Sequence, residues 1–360
     1  MSALPTAADR PNPFQGQPRH PYRERVVPFT AGDGTPLNLI NIRGPAEPTR
    51  EPVIVVHGAG VRANLFRAPT DETIVDALLA AGYDVWLENW RSSINFPMRT
   101  YTLDDAALYD HPKAVEAIVE DTGHDEIKAI IHCQGSTSFM MSVMAGLVPQ
   151  VRTVVSNAVS LHPQVVSPGS VMKLNVAVPL VSLITPYLDC SWGLEAPTLR
   201  AKLITAMVKA THRECDNTVC RLTSFTYGFG FPALWSHENL SEQTHKWLQY
   251  EFAAVPMTFF KQIAKCARAG HLVSVKGYPE LPKSFVDVDP PEQTRFAFFA
   301  GKDNKVFVPE SQVTTHAWFE ARDPGRHTLH LVDGYGHLDM FMGSNSARDV
   351  FPAMIDELAH

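Results

Sequence analysis

The segment Ile127–Ser136, which reads IKAIIHCQGS, constrains the fold more than any other part of the chain. A short apolar strand runs into a tight Cys-Gln-Gly turn, and a helix-like segment, Thr137–Leu147, follows. A strand, a sharp turn and a helix in this order expose the side chain at the turn as a nucleophile, in the pattern written G-x-S-x-G. Here Cys133 takes the place of the serine and Ile131 that of the first glycine, whereas Gly135 is retained.

Composition and net charge limit the kinds of partner that this chain can bind. The chain has 360 residues, of which 45% are hydrophobic and 19% are charged, so it can bury a large core. The formal net charge is −7 and no basic block is present, which argues against a nucleic-acid partner. The N-terminal segment lacks the apolar run of a signal peptide, so we expect a cytoplasmic location. Neither the composition nor the charge excludes a homodimer.

The five cysteines are an odd number, and they are spread without a recognisable metal-ligand spacing. Cys215 and Cys220 are close enough in sequence to form a disulfide in an oxidising compartment. Because no secretion signal is evident, we expect reduced thiols instead. The sequence therefore predicts neither a bound metal ion nor a cofactor.

One apolar stretch, Val171–Leu188, could be mistaken for a membrane span. Lys173, Asn175, Pro179 and Pro186 interrupt it. A membrane-spanning helix tolerates such residues poorly, and the stretch barely reaches spanning length. We interpret it as part of an apolar lid that can make shallow contact with a lipid surface, with no integral membrane segment.

Strand-like and helix-like segments alternate along most of the chain, which predicts an α/β fold with a doubly wound, mostly parallel sheet. The alternation stops near residue 162 and resumes near residue 290. The segment between these points is helical, aromatic and irregular, as expected for a cap inserted into the sheet domain. The predicted division is an N-terminal tail (1–24), a core (25–161 and 290–360) and a helical cap (162–289).

The partners of the nucleophile follow from chain order, which runs nucleophile, acid, histidine. His337 lies in a glycine-rich loop after the last predicted strand, and we predict that it accepts the proton of Cys133. The acid should follow the strand Thr294–Ala300, where Asp303 is predicted to orient the imidazole. Asn304 competes for this role, because an amide can also orient a histidine that serves a cysteine.

The turn also predicts the electrostatic environment of Cys133. The dipole of the following helix and a nearby histidine should lower the pKa of the thiol and favour the thiolate. Backbone N–H groups of Gln134 and of Ala59, in the loop His57–Gly60, are predicted to form an oxyanion hole. His132, next to the nucleophile, is expected to pack beneath the turn.

The cap is predicted to close an apolar pocket over the sulfur and to bind an apolar acyl group or ring. Aromatic residues are frequent between residues 225 and 235. The predicted contacts with the substrate are Tyr227, His237 and His162, with Arg221 and His245 as further polar candidates.

Several of these segments resemble the α/β-hydrolase superfamily, and specifically its acid-lipase-like branch. Tyr83–Arg91 (YDVWLENWR) is similar to the segment after the second core strand of those lipases, and Cys133–Thr137 and His337–Phe341 are similar to their nucleophile and histidine motifs. A closer likeness is to the hydrolase-like domain that accompanies some cholesterol-oxidase-type (GMC) flavoproteins. This likeness rests on the cap residues between 215 and 245 and on the segments Gly301–Ser311 and Gly334–Asp339.

The resemblance implies a capped α/β-hydrolase fold and acyl-transfer chemistry on an apolar substrate. It covers most of the chain after about residue 25. No flavin-binding G-x-G-x-x-G segment is present, so the resemblance implies no FAD.

These observations predict an enzyme with a Cys–His–Asp triad, which cleaves an ester, lactone or thioester through an acyl-cysteine intermediate. Two alternatives stay open. An acyltransferase would pass the same acyl group to an amine, an alcohol or a thiol. A non-catalytic binding module would hold an apolar ligand inside a hydrolase shell, and the residues Ile131 and Cys133 favour this reading.

Overall fold

A computed structural model describes residues 11–18, 21–165, 169, 178–213, 215–228, 230 and 232–360. The strands of this part of the chain are β1 (Arg23–Thr30), β2 (Pro36–Arg43), β3 (Pro52–Val56), β4 (Asp84–Asn89), β5 (Ile127–His132), β6 (Val151–Asn157), β7 (Tyr187–Asp189), β8 (Ala254–Pro256), β9 (Arg295–Gly301) and β10 (Thr328–Val332).

Eight of these strands form one sheet in the order β1-β2-β4-β3-β5-β6-β9-β10. The pairs β1–β2 and β2–β4 are antiparallel, and every other pair in the sheet is parallel. The short strands β7 and β8 form a separate antiparallel pair. The predicted α/β fold with a mostly parallel sheet is therefore confirmed.

Helices cover both faces of the large sheet and fill the region between β6 and β9. They are α1 (Ile74–Ala80), α2 (Leu103–Asp105), α3 (His111–Thr122), α4 (Cys133–Met144), α5 (Val178–Ile184), α6 (Leu199–Thr211), α7 (Thr218–Tyr227), α8 (Glu242–Trp247), α9 (Met257–Ala269), α10 (Glu310–Glu320), α11 (Asp339–Met342), α12 (Ser346–Asp349) and α13 (Phe351–Ala359).

Strand β5 lies in the middle of the sheet and is buried along its whole length. Because successive side chains of a strand point to opposite faces, its apolar run supplies both layers of the core. Ile130 packs in the layer that contains residues of α1 and α13, whereas Ala129 and Ile131 pack in the layer that contains residues of α3 and α4. Ile131, which replaces the first glycine of the motif, is therefore a core residue.

The cap elements α5 to α9 and the β7–β8 pair enter the chain between the end of β6 and the start of β9. A buried ion pair joins the core to this insertion, since Arg62 contacts Glu251 at 2.7 Å. The tail reaches the same place, where the Asn12 side chain donates to the Trp247 carbonyl and to Glu251. These contacts connect the cap to the core and to the N-terminal tail.

The predicted lid, Val171–Leu188, lies partly outside the described residues, which resume at Val178. In the part of the chain that the structure describes, no helix is both long enough and apolar enough to span a membrane.

Candidate active site

Cys133 occupies a sharp turn between β5 and α4. Its φ is 58°, in the left-handed region that non-glycine residues rarely adopt and that costs about 1–3 kcal/mol. Gly135 makes the turn possible, because a Cβ on it would lie 2.2 Å from the His57 carbonyl oxygen. Gly58 leaves room beside the sulfur, since a Cβ there would lie 3.1 Å from Sγ. The backbone conformation is that of a nucleophile turn.

Two backbone N–H groups, those of Gln134 and Ala59, donate to the Cys133 sulfur. The sequence analysis predicted that these two N–H groups form an oxyanion hole, and both of them point to the Cys133 sulfur. Burial nevertheless raises the pKa of the Cys133 thiol to about 12, because the two N–H groups offset only part of the desolvation. This direction is opposite to the lowering of the thiol pKa that the sequence led us to expect, and it favours the neutral thiol.

His337 is buried beside this thiol, and desolvation lowers its pKa to about 3, so the ring is neutral. Its Nδ1 lies 3.1 Å from Nδ2 of Asn304. The predicted orienting residue, Asp303, is exposed, and its described contact is a backbone N–H that donates to the Tyr335 carbonyl. The structure corrects the prediction: the loop turns the Asp303 side chain to solvent and the neighbouring amide toward the imidazole.

Two further hydrogen bonds determine how the Asn304 amide is oriented. Its Oδ1 accepts the backbone N–H groups of Val306 at 2.9 Å and Phe307 at 3.2 Å. Its Nδ2 must therefore donate to Nδ1 of His337, which places the proton of the neutral ring on Nε2. A carboxylate would hold the opposite tautomer, in which Nε2 can accept a proton.

A second imidazole, that of His132, also lies next to the sulfur. One ring nitrogen from each of His132 and His337 and the Cys133 sulfur all lie within 4.8 Å of one another. Nδ1 of His132 pairs with Nδ2 of Asn157 at 2.9 Å, and desolvation holds the pKa of His132 well below its usual range. We call Cys133, His132 and His337 the core cluster.

A largely apolar cavity lies over the core cluster. The core supplies the thiol, the two imidazoles and the loop with Ala59, and the cap supplies apolar walls. Tyr227 lines the cavity, and its hydroxyl donates to the Ala59 carbonyl at 3.0 Å. Phe259, Phe260 and Ile263 of α9 also line it. The sequence analysis did not single out these three, although their helical spacing marks an apolar face.

The other predicted substrate contacts lie elsewhere. His162 is not among the residues that line the cavity, and its ring packs against Thr315 at 3.2 Å. His237 and His245 approach cysteines of the cap, and Arg221 donates to the Cys215 carbonyl. These positions correct the prediction because the folded cap turns their polar side chains away from the cavity.

A second triad-like arrangement lies beneath α4. Ser138 Oγ is 2.7 Å from Nε2 of His111, and Nδ1 of His111 is 3.0 Å from the Glu88 carboxylate. All three residues are fully buried, and none of them lines the cavity. Without access for a substrate these groups serve as structural hydrogen-bonding partners, and they explain why the segment Tyr83–Arg91 carries a glutamate.

The fold is that of a large hydrolase family. Residues 51–344 match the family model described as the alpha/beta hydrolase fold. The chain belongs to this family. The chain is 21% identical over 343 residues to a "Probable lipase" of Schizosaccharomyces pombe, and the match covers 86% of this chain and 71% of that protein. It is 31% identical over 135 residues to "Lipase member K" of Homo sapiens, with 33% of each chain covered.

Solved structures support the same assignment of the fold. The monoacylglycerol lipase of Paleococcus ferrophilus superposes with a TM-score of 0.53 at 13% identity, and the match covers 93% of this chain and 98% of that one. This α/β hydrolase therefore has lipase-like relatives, and the superposition at this low identity concerns the fold alone.

Proposed function

We propose that this α/β hydrolase cleaves an ester, lactone or thioester of an apolar substrate through an acyl intermediate on Cys133. The observation that carries the proposal is the convergence of two backbone N–H groups, a neutral imidazole and the thiol at the base of an apolar cavity. Serine or cysteine nucleophiles of acyl transfer need these same groups. The finer likeness to the domain associated with GMC flavoproteins stays a prediction.

The reaction would begin with the sulfur attacking the substrate carbonyl carbon. An S–C bond forms, and the carbonyl oxygen takes the negative charge and replaces the sulfur as acceptor of the N–H groups of Gln134 and Ala59. The thiol proton passes to His337 and then to the leaving alcohol or thiol as the C–O or C–S bond breaks. Water then cleaves the acyl thioester, which releases the acid and restores the Cys133 thiol.

The orientation of Asn304 makes the first proton transfer slow. Nε2 of His337 can accept a proton only after the ring proton moves to Nδ1, and Nδ1–H then needs Oδ1 of Asn304 as its acceptor. Turning the amide breaks the bonds from Val306 and Phe307, at about 1 kcal/mol or more for each buried N–H. We infer a lower turnover than a carboxylate at position 304 would support.

The acyltransferase alternative rests on the same intermediate. The walls of the cavity are largely apolar, so an amine, alcohol or thiol acceptor with an apolar body can compete with water for the acyl thioester. Product analysis with and without such acceptors distinguishes transfer from hydrolysis.

Non-catalytic binding is the second candidate, and two observations favour it. The thiol has a raised pKa, and Nε2 of His337 carries a proton in the resting state. Both features weaken catalysis and leave the apolar cavity intact.

Turnover of a series of 4-nitrophenyl esters and matched thioesters of increasing acyl length tests the proposal. We expect hydrolysis by the wild type and its loss in Cys133→Ala, with Cys266→Ala as the matched control, because Cys266 is a buried cysteine outside the cavity wall. Equal rates for wild type and Cys133→Ala would contradict the proposal. Saturable binding of the acyl chain without turnover would favour the binding module.

A further inference from the structure

Two thiols and two imidazoles converge in the cap, away from the core cluster. Cys220 Sγ lies 3.4 Å from Nε2 of His237, and Cys215 Sγ lies 3.9 Å from Nε2 of His245. The two rings are 4.8 Å apart between centroids. One donor atom from each of the four residues lies within 4.8 Å of the other three. We call these four residues the cap cluster.

We propose that the cap cluster binds one zinc ion as a Cys₂His₂ site. Zn²⁺ takes four ligands in a tetrahedron, with bonds of about 2.3 Å to sulfur and 2.0–2.1 Å to nitrogen, which places S and N about 3.6 Å apart. The two S···N distances in the cluster, 3.4 and 3.9 Å, lie on either side of this value. A set of two thiolates and two imidazoles favours zinc over hard cations such as Mg²⁺ or Ca²⁺.

The surrounding backbone holds these ligands in place. Asn217 caps the start of α7: its Oδ1 accepts the Cys220 N–H at 3.1 Å, and its Nδ2 donates to the His245 carbonyl at 2.8 Å. One side chain thus connects a thiol ligand with an imidazole ligand, as outer-shell groups do in zinc proteins. Cys220 is buried and the other three ligands are half-buried, so an ion can enter from solvent.

The sequence analysis predicted no metal ion because the cysteines lack a recognisable metal-ligand spacing, and the proposed site does not depend on such a spacing. The ligand order is Cys-x₄-Cys-x₁₆-His-x₇-His. Cys220 belongs to α7 and His245 to α8, whereas His237 begins a short 3₁₀ turn between them. These long separations differ from those of small zinc modules, so only the fold of the cap brings the four donors together.

Zinc at this place would brace the loop that carries His337. Next to the ligand His237, Ser236 N–H donates to Asp339 at 3.1 Å, and Asn239 donates to Asp339 at 2.6 Å and to the Gly334 carbonyl at 2.7 Å. Asp339 and Gly334 lie on either side of His337 in the sequence. The ion therefore acts as a structural cross-link between the cap and the histidine loop.

Metal analysis of the 360-residue chain tests the site directly. Protein expressed with added zinc and purified without chelators should contain about one zinc per chain by mass spectrometry. The double variant Cys215→Ser/Cys220→Ser should contain less than about 0.1 per chain. Cys133→Ala and Cys266→Ser are controls that should keep the metal. Exchange for Co²⁺ should give visible d–d bands and a thiolate charge-transfer band that the double variant lacks.

Several results would overturn the proposal of a zinc site in the cap cluster. Wild type with background zinc and no cobalt–thiolate band refutes it, as does a Cys215–Cys220 disulfide in the purified chain. Metal that is lost in Cys133→Ala and retained in the double variant would move the site to the core cluster. A chelator should also lower the unfolding temperature of wild type by at least about 4 °C, with no effect on the double variant.

Discussion

The core cluster and the cap cluster contain the same kinds of side chain and differ in their surroundings. The core cluster has one cysteine and two histidines under an apolar cavity, and two backbone N–H groups donate to its sulfur. The cap cluster has two cysteines and two histidines, three of them half-buried, and its donors are spaced for a tetrahedral ion. A Cys–His pair therefore acquires its chemistry from the number of donors, the access to solvent and the backbone groups around the sulfur.

The largest expected effect is the loss of turnover when Cys133 of the core cluster is substituted, with the cap cluster left intact. Cys133→Ala removes the proposed nucleophile and should lower kcat by about 10³-fold or more, because the residues of a nucleophilic site act as a unit. The same variant should keep its zinc. Steady-state kinetics and metal content measured on one preparation check both statements. Loss of zinc with turnover intact would reverse the roles that we assign to the clusters.

The next effect concerns the residue that orients His337. Asn304→Asp supplies two acceptor oxygens. One can accept Nδ1–H of His337, while the other continues to accept the N–H groups of Val306 and Phe307. The ring proton then moves to Nδ1 and Nε2 becomes a base, so kcat should rise by about 10²-fold.

Asp303→Asn is the matched control for this gain, because that side chain is exposed and should leave turnover unchanged. Kinetics of both variants over a range of pH values provide the readout. A rate of Asn304→Asp equal to or below that of wild type would show that the tautomer of His337 does not limit the reaction.

A smaller effect concerns the pH dependence of the free energy of unfolding, to which the buried His57 contributes. Burial lowers the pKa of His57 to about 3, below that of an unfolded histidine. A lowered folded-state pKa contributes stability that is present above the unfolded pKa and is lost as pH falls. His57 should therefore account for about 2 kcal/mol of the stability lost between pH 7 and pH 5.

Urea unfolding of wild type and His57→Gln at pH 7 and pH 5 measures this contribution. The difference between the two pH values should shrink by about 2 kcal/mol in the variant. His124→Gln, at an exposed histidine, is the control that should leave the difference unchanged. An identical pH dependence in wild type and His57→Gln would contradict the burial of a neutral ring.

The smallest effect tests the contact between cap and core. Tyr227→Phe keeps the aromatic wall and removes the hydrogen bond to the Ala59 carbonyl. As Ala59 supplies a predicted oxyanion N–H, we expect kcat to fall about fivefold while KM stays unchanged. Tyr250→Phe, outside the cavity wall, is the control. A change confined to KM would identify Tyr227 as a substrate contact and not as a positioning residue.

The sequence predicted the central part of the fold well, because the local patterns there are strong. The apolar segment before Cys133 and the helix-like segment after it are present as β5 and α4, and the strand expected over Thr294–Ala300 is present as β9. The apolar run of β5 and Gly135, two residues after Cys133, leave few other conformations. The helix-like segment predicted over Thr137–Leu147 starts earlier in the structure, because α4 begins at Cys133 itself.

Details of the site depended on contacts that no local pattern contains. Asp303 and Asn304 are neighbours in one loop, and only the hydrogen bonds to Val306 and Phe307 decide which of them faces His337. The pKa of the Cys133 thiol depends on its burial, which outweighs the two backbone N–H groups that donate to the sulfur. The cap cluster could not be predicted because its residues lie on separate elements that only the fold of the cap brings together.

The most direct test of the account is whether an acyl group is found on Cys133 during turnover. The wild type is mixed with an activated ester, quenched in acid and analysed by intact mass and peptide mapping. We predict one acyl group, on the peptide that carries Cys133, which neutral hydroxylamine removes as it does a thioester, and no adduct on Cys133→Ala. Hydrolysis that proceeds with Cys133 unmodified, or an acyl group on another residue, would contradict the account.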